Sequence, residues 1–220
     1  MKIRGLIFDV DGTLVNVEER FYHCYNKTLT KFGIDSLDRD TYEDKRRRGV
    51  LSDPISDDDE VLARFWLDFI DSFSYADVED LGSPFPGVLE ALDELEARGY
   101  KMAIVTGRTS VSGRVIKELH GMGIDGYFQL VLTNEDGIEG LNKASKLIEC
   151  AQKLGFSPAE CAYTGDWEED IKSAREAGIG LVVAVLTGGE GKESLEKTDP
   201  DVILGGVAEL PGFLSARSFS

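Results

Sequence analysis

From residue 84 to residue 204 the apolar residues switch repeatedly between helical spacing and short continuous runs. Val88, Leu89, Ala91, Leu92 and Leu95 share one helical face, and Gly99 follows as a stop. Met102 to Val105 is a short apolar run that reads as a strand. Val111, Val115, Ile116 and Leu119 make a second helical face, closed by Gly121. Phe128 to Leu132 is the next strand, and Ala144, Leu147, Ile148, Ala151 and Leu154 form a third face ending at Gly155. Strands are expected again at Cys161 to Thr164, Leu181 to Leu186 and Val202 to Leu204, with a helix over 171–177 before Gly178. Such alternation leaves one economical solution, an α/β fold with parallel strands and helices on both faces of the sheet. In open sheets of this kind, sites form beyond the carboxyl ends of the strands.

Residues 16–81 break the rhythm and contain no convincing strand. Phe21, Tyr25, Leu29 and Phe32 share one helical face. Val61, Leu62, Phe65, Trp66, Phe69, Ile70 and Phe73 form a broader one, with Asp57 to Asp59 at its start, where the helix dipole favours acidic groups. The segment reads as a small helical insert whose aromatics form its own core. It divides the chain into an α/β domain of residues 1–15 and 82–220 and a helical subdomain of residues 16–81. Gly82-Ser83-Pro84-Phe85-Pro86-Gly87 is the expected return hinge. A chain of 220 residues has room for one sizeable core with such an insert.

Lys and Arg number 24 and Asp and Glu number 41, a net charge of −17. That balance argues against a nucleic-acid surface or an anionic membrane as partner. It also repels an anionic substrate at long range, so any anion site needs local positive charge. No apolar stretch approaches a membrane span, and the first residues read as a strand rather than a signal peptide. Cys24, Cys150 and Cys161 have no metal-like spacing and read as reduced, buried thiols of a cytoplasmic protein. His23 and His120 read as ordinary helix residues.

The chemistry gathers at strand ends. Ile3 to Phe8 reads as the first strand, and Asp9-Val10-Asp11-Gly12-Thr13 follows it. Two carboxylates two residues apart on an extended chain point the same way. Like charges that close are costly unless a cation lies between them or one is protonated, and Mg²⁺ takes carboxylate oxygens. An Asp-Gly turn after a strand is the plainer alternative. Thr106-Gly107-Arg108 follows the 102–105 strand and offers a hydroxyl and an amide to an oxyanion, or merely makes a turn. Lys143 opens the 144–154 helix, where an ammonium can neutralise a phosphate or simply be solvated. Gly165-Asp166 follows the 161–164 strand. Asp166 can cap the next helix, and Asp170 lies one turn on, which is also the pattern of a helix with an acidic first turn.

In this order, Asp9-x-Asp11-Gly12-Thr13, Thr106-Gly107, Lys143 and Gly165-Asp166-x-x-x-Asp170 resemble the four motifs of the haloacid dehalogenase-like hydrolase superfamily. The resemblance spans nearly the whole chain, and the insert stands where that family carries its helical type I cap. Pro86-Gly87 before the 88–98 helix is similar to phosphoglycolate-phosphatase-type members. Lys143-Ala144 resembles one form of the third motif, with Lys146 as the alternative lysine. The resemblance implies a Rossmann-like core and phosphoryl transfer through an aspartyl-phosphate. Asp9 would be the nucleophile and Asp11 the acid and base. Mg²⁺ would be held by the Asp9 side chain, the Asp11 carbonyl and Asp166. Asp170 would orient Lys143 or a metal-bound water, and Thr106, the Gly107 amide and Lys143 would hold phosphoryl oxygens. An acid at Asp11 suits an alkoxide leaving group rather than a halide, so a phosphatase acting on a small phosphorylated metabolite is expected. A sugar phosphomutase would use the same residues, and a non-catalytic phosphoryl-binding regulator would lack one of the acids.

Lys45-Arg46-Arg47-Arg48 is the densest basic run in this acidic chain. It could steer an anionic substrate, with Arg46 as the candidate for specificity. Alternatively, Glu43 to Arg47 and Asp44 to Arg48 are i,i+4 pairs on an exposed helix. The residues do not name the substrate or the oligomeric state.

Overall fold

The computed structural model of the chain describes residues 2–75, 82–135 and 142–218. The residues divide into two compact units. One comprises Met1–Asn16, Ser83–Gly107 and Val111–Ser220, and the other Val17–Gly82 with Arg108–Ser110. The expected return of the insert at 81–82 abuts residues 76–81, which lie outside the described residues, as do Leu141 and the five residues before it.

The first unit is built on six strands: β1 Gly5–Phe8, β4 Lys101–Val105, β5 Phe128–Leu132, β6 Cys161–Gly165, β7 Leu181–Val185 and β8 Val202–Leu204. Between β1 and β4 in chain order come two short strands, β2 Val15–Asn16 and β3 Ser83–Pro84. The six strands are all parallel, in the order β5-β4-β1-β6-β7-β8. Every residue of β1, β6 and β7 is buried. Their near-continuous apolar runs are those of strands covered on both faces.

The covering helices of this unit are α4 Val88–Ala97, α5 Ser112–Gly121, α6 Lys143–Leu154, α7 Glu168–Glu176, α8 Lys192–Glu196 and α9 Leu210–Ser218. On one face Leu147, Cys150, Ala151 and Leu154 of α6 and Ile171 and Ala174 of α7 pack onto Ile7, Ala103, Val105, Cys161, Tyr163, Val182 and Ala184. The alternate strand residues Leu6, Phe8, Met102, Ile104 and Val183 point to the other face and are equally buried. There α4 packs against α9. Burying each such Leu, Ile or Phe side chain is worth roughly 1.5–3 kcal/mol. Asn142 caps α6 by accepting the Ser145 N–H at 3.0 Å, which fixes where that helix begins.

β2 and β3 pair antiparallel, Val15 with Pro84 and Asn16 with Ser83. The return segment, expected to be a hinge, is thus half of a two-stranded ribbon. Among the described residues no helix is long and apolar enough to cross a membrane. All three cysteines are free and buried.

The second unit is helical: α1 Glu18–Lys31, α2 Arg39–Arg47 and α3 Asp59–Ser74. Its core joins Tyr25 and Leu29 of α1, Tyr42 of α2, and Phe65 and Phe69 of α3, with Phe21, Trp66 and Phe73 packed around them. The ring centroids of Phe21 and Phe69 are 4.6 Å apart. Residues 108–110 belong to this unit although they follow β4 in the chain. The Thr109 N–H donates to Ser74 Oγ at 3.0 Å, and the Tyr75 hydroxyl donates to the Thr109 carbonyl at 3.1 Å.

Candidate active site

β1 lies between β4 and β6, and the chain turns from one side of it to the other after β5. The strand order therefore reverses at β1, which opens a crevice at the carboxyl ends of these strands. The residues that follow those ends are Asp9, Thr106 and Asp166.

Asp9 directly follows β1, and its N–H donates to the Thr164 carbonyl of β6 at 2.9 Å. Lys143, the first residue of α6, donates from Nζ to Asp9 Oδ1 at 2.9 Å and also to Asp170 Oδ1. The ammonium lies 5.5 Å from the centre of the buried Tyr163 ring. Asp166 Oδ1 accepts from the Thr13 hydroxyl at 2.7 Å. Asp9, Asp166 and Asp170 are all buried, and one carboxylate oxygen from each lies within 4.8 Å of the others.

Three carboxylates around one ammonium leave an excess of buried negative charge. Burial pushes the Asp9 carboxyl up to about 7, and Asp170 and Asp11 add to the rise while Lys143 opposes it. Burial, then Asp9 and Asp170, hold Asp166 well above the usual carboxylate range. Burial alone would lower the Lys143 ammonium, but Asp170 and Asp9 outweigh it and hold the group well above its ordinary value. An all-oxygen donor set with unneutralised charge suits a hard divalent cation. The residues present therefore fit a metal ion held within this carboxylate cluster.

Two glycines bring the backbone close to Asp166. Gly12 has φ +81, and a Cβ there would stand 2.4 Å from Asp166 Oδ2. At Gly188 a Cβ would stand 1.8 Å from the same oxygen. The Thr187 hydroxyl donates to the Gly12 carbonyl at 2.7 Å, which ties the loop after β7 to the turn after β1.

The other expected site residues are placed as follows. Asp11 is half-buried, and its carboxylate lies outside the three-carboxylate group; its backbone bridges to Val15. Thr106 is buried, and its N–H donates to the Leu132 carbonyl at 3.0 Å. The Gly107 carbonyl accepts from Asn134 Nδ2 at 2.8 Å. Lys146 lies one turn along α6 from Lys143, and its Nζ donates to Asn134 Oδ1 at 2.5 Å. Of the two candidate lysines, Lys143 is the one bonded to Asp9. Arg46 belongs to the helical unit, where it pairs with Glu18 and lies 5.2 Å from the centre of the Phe21 ring. Asp44 pairs with Arg48 at 3.1 Å, while Glu43 pairs with Arg39 at 2.6 Å.

Of the two readings open to Asp166, the helix cap is not realised. Trp167 holds the cap position, and its N–H donates to Asp170 Oδ2 at 3.3 Å. The acidic first turn thus starts with Glu168, and the Asp166 side chain turns to Thr13.

Thr13, Thr187, Gly188, Tyr163 and Asn134 carry no role in the sequence reading. Thr187-Gly188 and Asn134 follow the strands β7 and β5 closely, so the rule that found Thr106 and Asp166 reaches them too. Tyr163 is an inward-facing strand residue with no polar signal of its own.

With buried carboxylates, a charged lysine and a hydroxyl gathered at the carboxyl ends of the strands, the arrangement has the groups needed to bind an electrophile bearing anionic oxygens and to attack it. A family model described as haloacid dehalogenase-like hydrolase matches residues 6–184. The chain is 28% identical over 216 residues to pyrophosphatase PpaX of Bacillus pumilus, covering 97% of each chain. It is 29% identical to phosphoglycolate phosphatase of Pectobacterium atrosepticum, covering 94% of this chain and 91% of that one. A haloacid dehalogenase-like family hydrolase from Streptococcus pneumoniae superposes with a TM-score of 0.77 at 22% identity, covering 96% and 98% of the two chains. The chain belongs to the haloacid dehalogenase-like hydrolase family.

Proposed function

We propose that the protein is a Mg²⁺-dependent phosphatase that hydrolyses a small phosphorylated metabolite through an aspartyl-phosphate on Asp9. The reading rests above all on Lys143 Nζ, which bridges Asp9 and Asp170 beside Asp166. It puts a fixed positive charge where a phosphoryl group in transfer to Asp9 would carry its negative oxygens.

Asp9 Oδ attacks phosphorus, and the bond from phosphorus to the leaving oxygen breaks. The Asp11 carboxyl gives its proton to that oxygen. In the second half the Asp11 carboxylate takes a proton from water, the water oxygen bonds to phosphorus, and the bond to Asp9 breaks. Thr106, the Gly107 amide and Lys143 hold the phosphoryl oxygens. Asp170 keeps Lys143 in place. Mg²⁺ would be held by the Asp9 and Asp166 side chains and the Asp11 carbonyl, and when bound it offsets the negative charge that gathers there.

The named relatives act on pyrophosphate and phosphoglycolate, each of which carries a second anionic group beside the transferred phosphoryl. A small substrate of that kind is the class proposed for this chain, with Arg46 as a candidate contact to the second group. The test is hydrolysis with Mg²⁺ of pyrophosphate, phosphoglycolate, sugar phosphates and an aryl phosphate monoester that has no second anionic group. A preference of at least tenfold in kcat/KM for pyrophosphate or phosphoglycolate, the substrates with a second anionic group, supports the reading. Equal rates on all four would remove the substrate class, and no hydrolysis of any would remove the phosphatase.

A further inference from the structure

At the opposite end of the sheet, a hollow of about 550 Å³ opens at the amino ends of β1 and β4. Nine residues line it. Four are Lys2, Arg4, Arg98 and Lys101, and none is acidic. The chain as a whole has 41 acidic residues against 24 basic ones, so this clustering runs against the composition. We propose that the hollow binds a small polyanion carrying two or three phosphate groups, at a site separate from the catalytic crevice.

The topology builds the cluster. Parallel pairing sets Gly5 beside Lys101, and the Lys101 N–H donates to the Arg4 carbonyl at 3.2 Å, so both strands start at one level. Arg4 and Lys101 converge on the Phe156 ring, with Arg4 at 4.5 Å and Lys101 Nζ at 5.4 Å from its centre. Lys101 Nζ donates to the Leu154 carbonyl at 3.1 Å, and Arg98 Nη1 to the Pro211 carbonyl at 2.7 Å. These contacts hold the cations close together although like charges repel. Glu160 pairs with Arg4 at 3.1 Å and Glu94 with Arg98, both at exposed positions where water competes. Two carboxylates against four cations leave net positive charge around the hollow. Guanidinium forks beside ammonium groups suit several phosphate oxygens at once. The wall also holds Tyr100, whose hydroxyl adds a donor. Arg4 and Asp9 are separated by the length of β1, about 16 Å of extended chain.

The test is titration calorimetry of the full chain with inorganic tripolyphosphate in low-salt buffer containing EDTA. We expect binding with Kd at or below about 1 mM that weakens at least tenfold between about 50 and 300 mM salt. The Lys2→Gln/Lys101→Gln variant should lose at least tenfold in affinity, and Lys143→Ala should leave it unchanged. Lys2→Gln alone, at an exposed position, covers the case in which the double variant fails to fold, and should lose about threefold, as expected for one solvent-screened charge. No binding, binding unchanged in a folded Lys2 variant, or binding lost with Lys143 would each overturn the proposal.

Discussion

Lys143 Nζ lies 2.9 Å from Asp9 Oδ1 and also bonds Asp170, so the first residue of α6 is tied to the residue that follows β1. These positions are 134 residues apart in the chain. The link is charge-assisted and buried, and it offsets part of the repulsion among three carboxylates. Replacing Lys143 by Ala or Met should lower kcat by about 10²–10³-fold, the range for losing one fixed donor to a developing oxyanion. A kcat within threefold of the parent in steady-state assays would remove Lys143 from the phosphoryl site.

The raised carboxyls of Asp9 and Asp166 make a prediction about pH. A carboxyl raised in the folded chain keeps its proton longer there than in the unfolded chain. Its contribution to stability is therefore lost as pH rises from the ordinary carboxyl value of 3.8 to about 7 for Asp9. A divalent cation that binds the ionised group reverses this loss. The rise in Tm on adding Mg²⁺ should thus be small at about pH 5 and reach about 5 °C near pH 7.5. A Mg²⁺-induced shift that is flat across that range, or larger in acid, would contradict the assignment.

Gly188 leaves no room for a side chain beside Asp166, since a Cβ would stand 1.8 Å from its Oδ2. Gly188→Ala should push the carboxylate aside and raise the Mg²⁺ concentration needed for half activity by about 10–100-fold, the range for disturbing a ligand's supporting contacts. Activity measured against Mg²⁺ concentration checks it.

Thr13 gives Asp166 a hydrogen bond at 2.7 Å. Thr13→Val keeps the shape and removes the donor. Mg²⁺ activation should weaken by about tenfold, with Thr13→Ser restoring most of it. Loss of activity that Ser does not restore would point to packing instead.

Arg46 pairs with Glu18 and covers Phe21 within the helical unit. Arg46→Gln should cost no more than about 1 kcal/mol of stability. If Arg46 also meets the substrate's second anionic group, KM for pyrophosphate should rise while KM for an aryl phosphate stays put. Equal changes in both would leave Arg46 a purely structural residue.

The sheet was legible because each of its strands is a short apolar run followed by a polar or glycine signal, as in Phe8-Asp9, Val105-Thr106 and Thr164-Gly165-Asp166. The clustering of the candidate site was legible for the same reason, since Asp9, Lys143, Asp166 and Asp170 all lie just past strand ends or at the start of the helix that follows. Short or broken elements were not. β2 and β3 have two residues each, too few to show alternation, and only their pairing makes them strands. α9 begins Leu210-Pro211-Gly212, which reads as a break. Yet Pro is tolerated in a first helical turn, where its missing N–H has no partner to lose. The place of residues 108–110 in the helical unit rests on hydrogen bonds to Ser74 and Tyr75 that no local pattern encodes. A cap is one of two readings open to Asp166, because Asp before a helix is often one. The hydroxyl of Thr13 and the carboxylate of Asp170 redirect it, and both lie beyond the reach of spacing arguments.

The covalent role proposed for Asp9 is open to direct observation. The chain is mixed with Mg²⁺ and a reactive small phosphate ester, quenched in acid during turnover, digested and read by mass spectrometry. The peptide holding Asp9 should gain the mass of one phosphoryl group, and Asp9→Asn should show neither that gain nor Mg²⁺-dependent hydrolysis. A phosphoryl group on another residue, or full hydrolysis by Asp9→Asn, would contradict the mechanism.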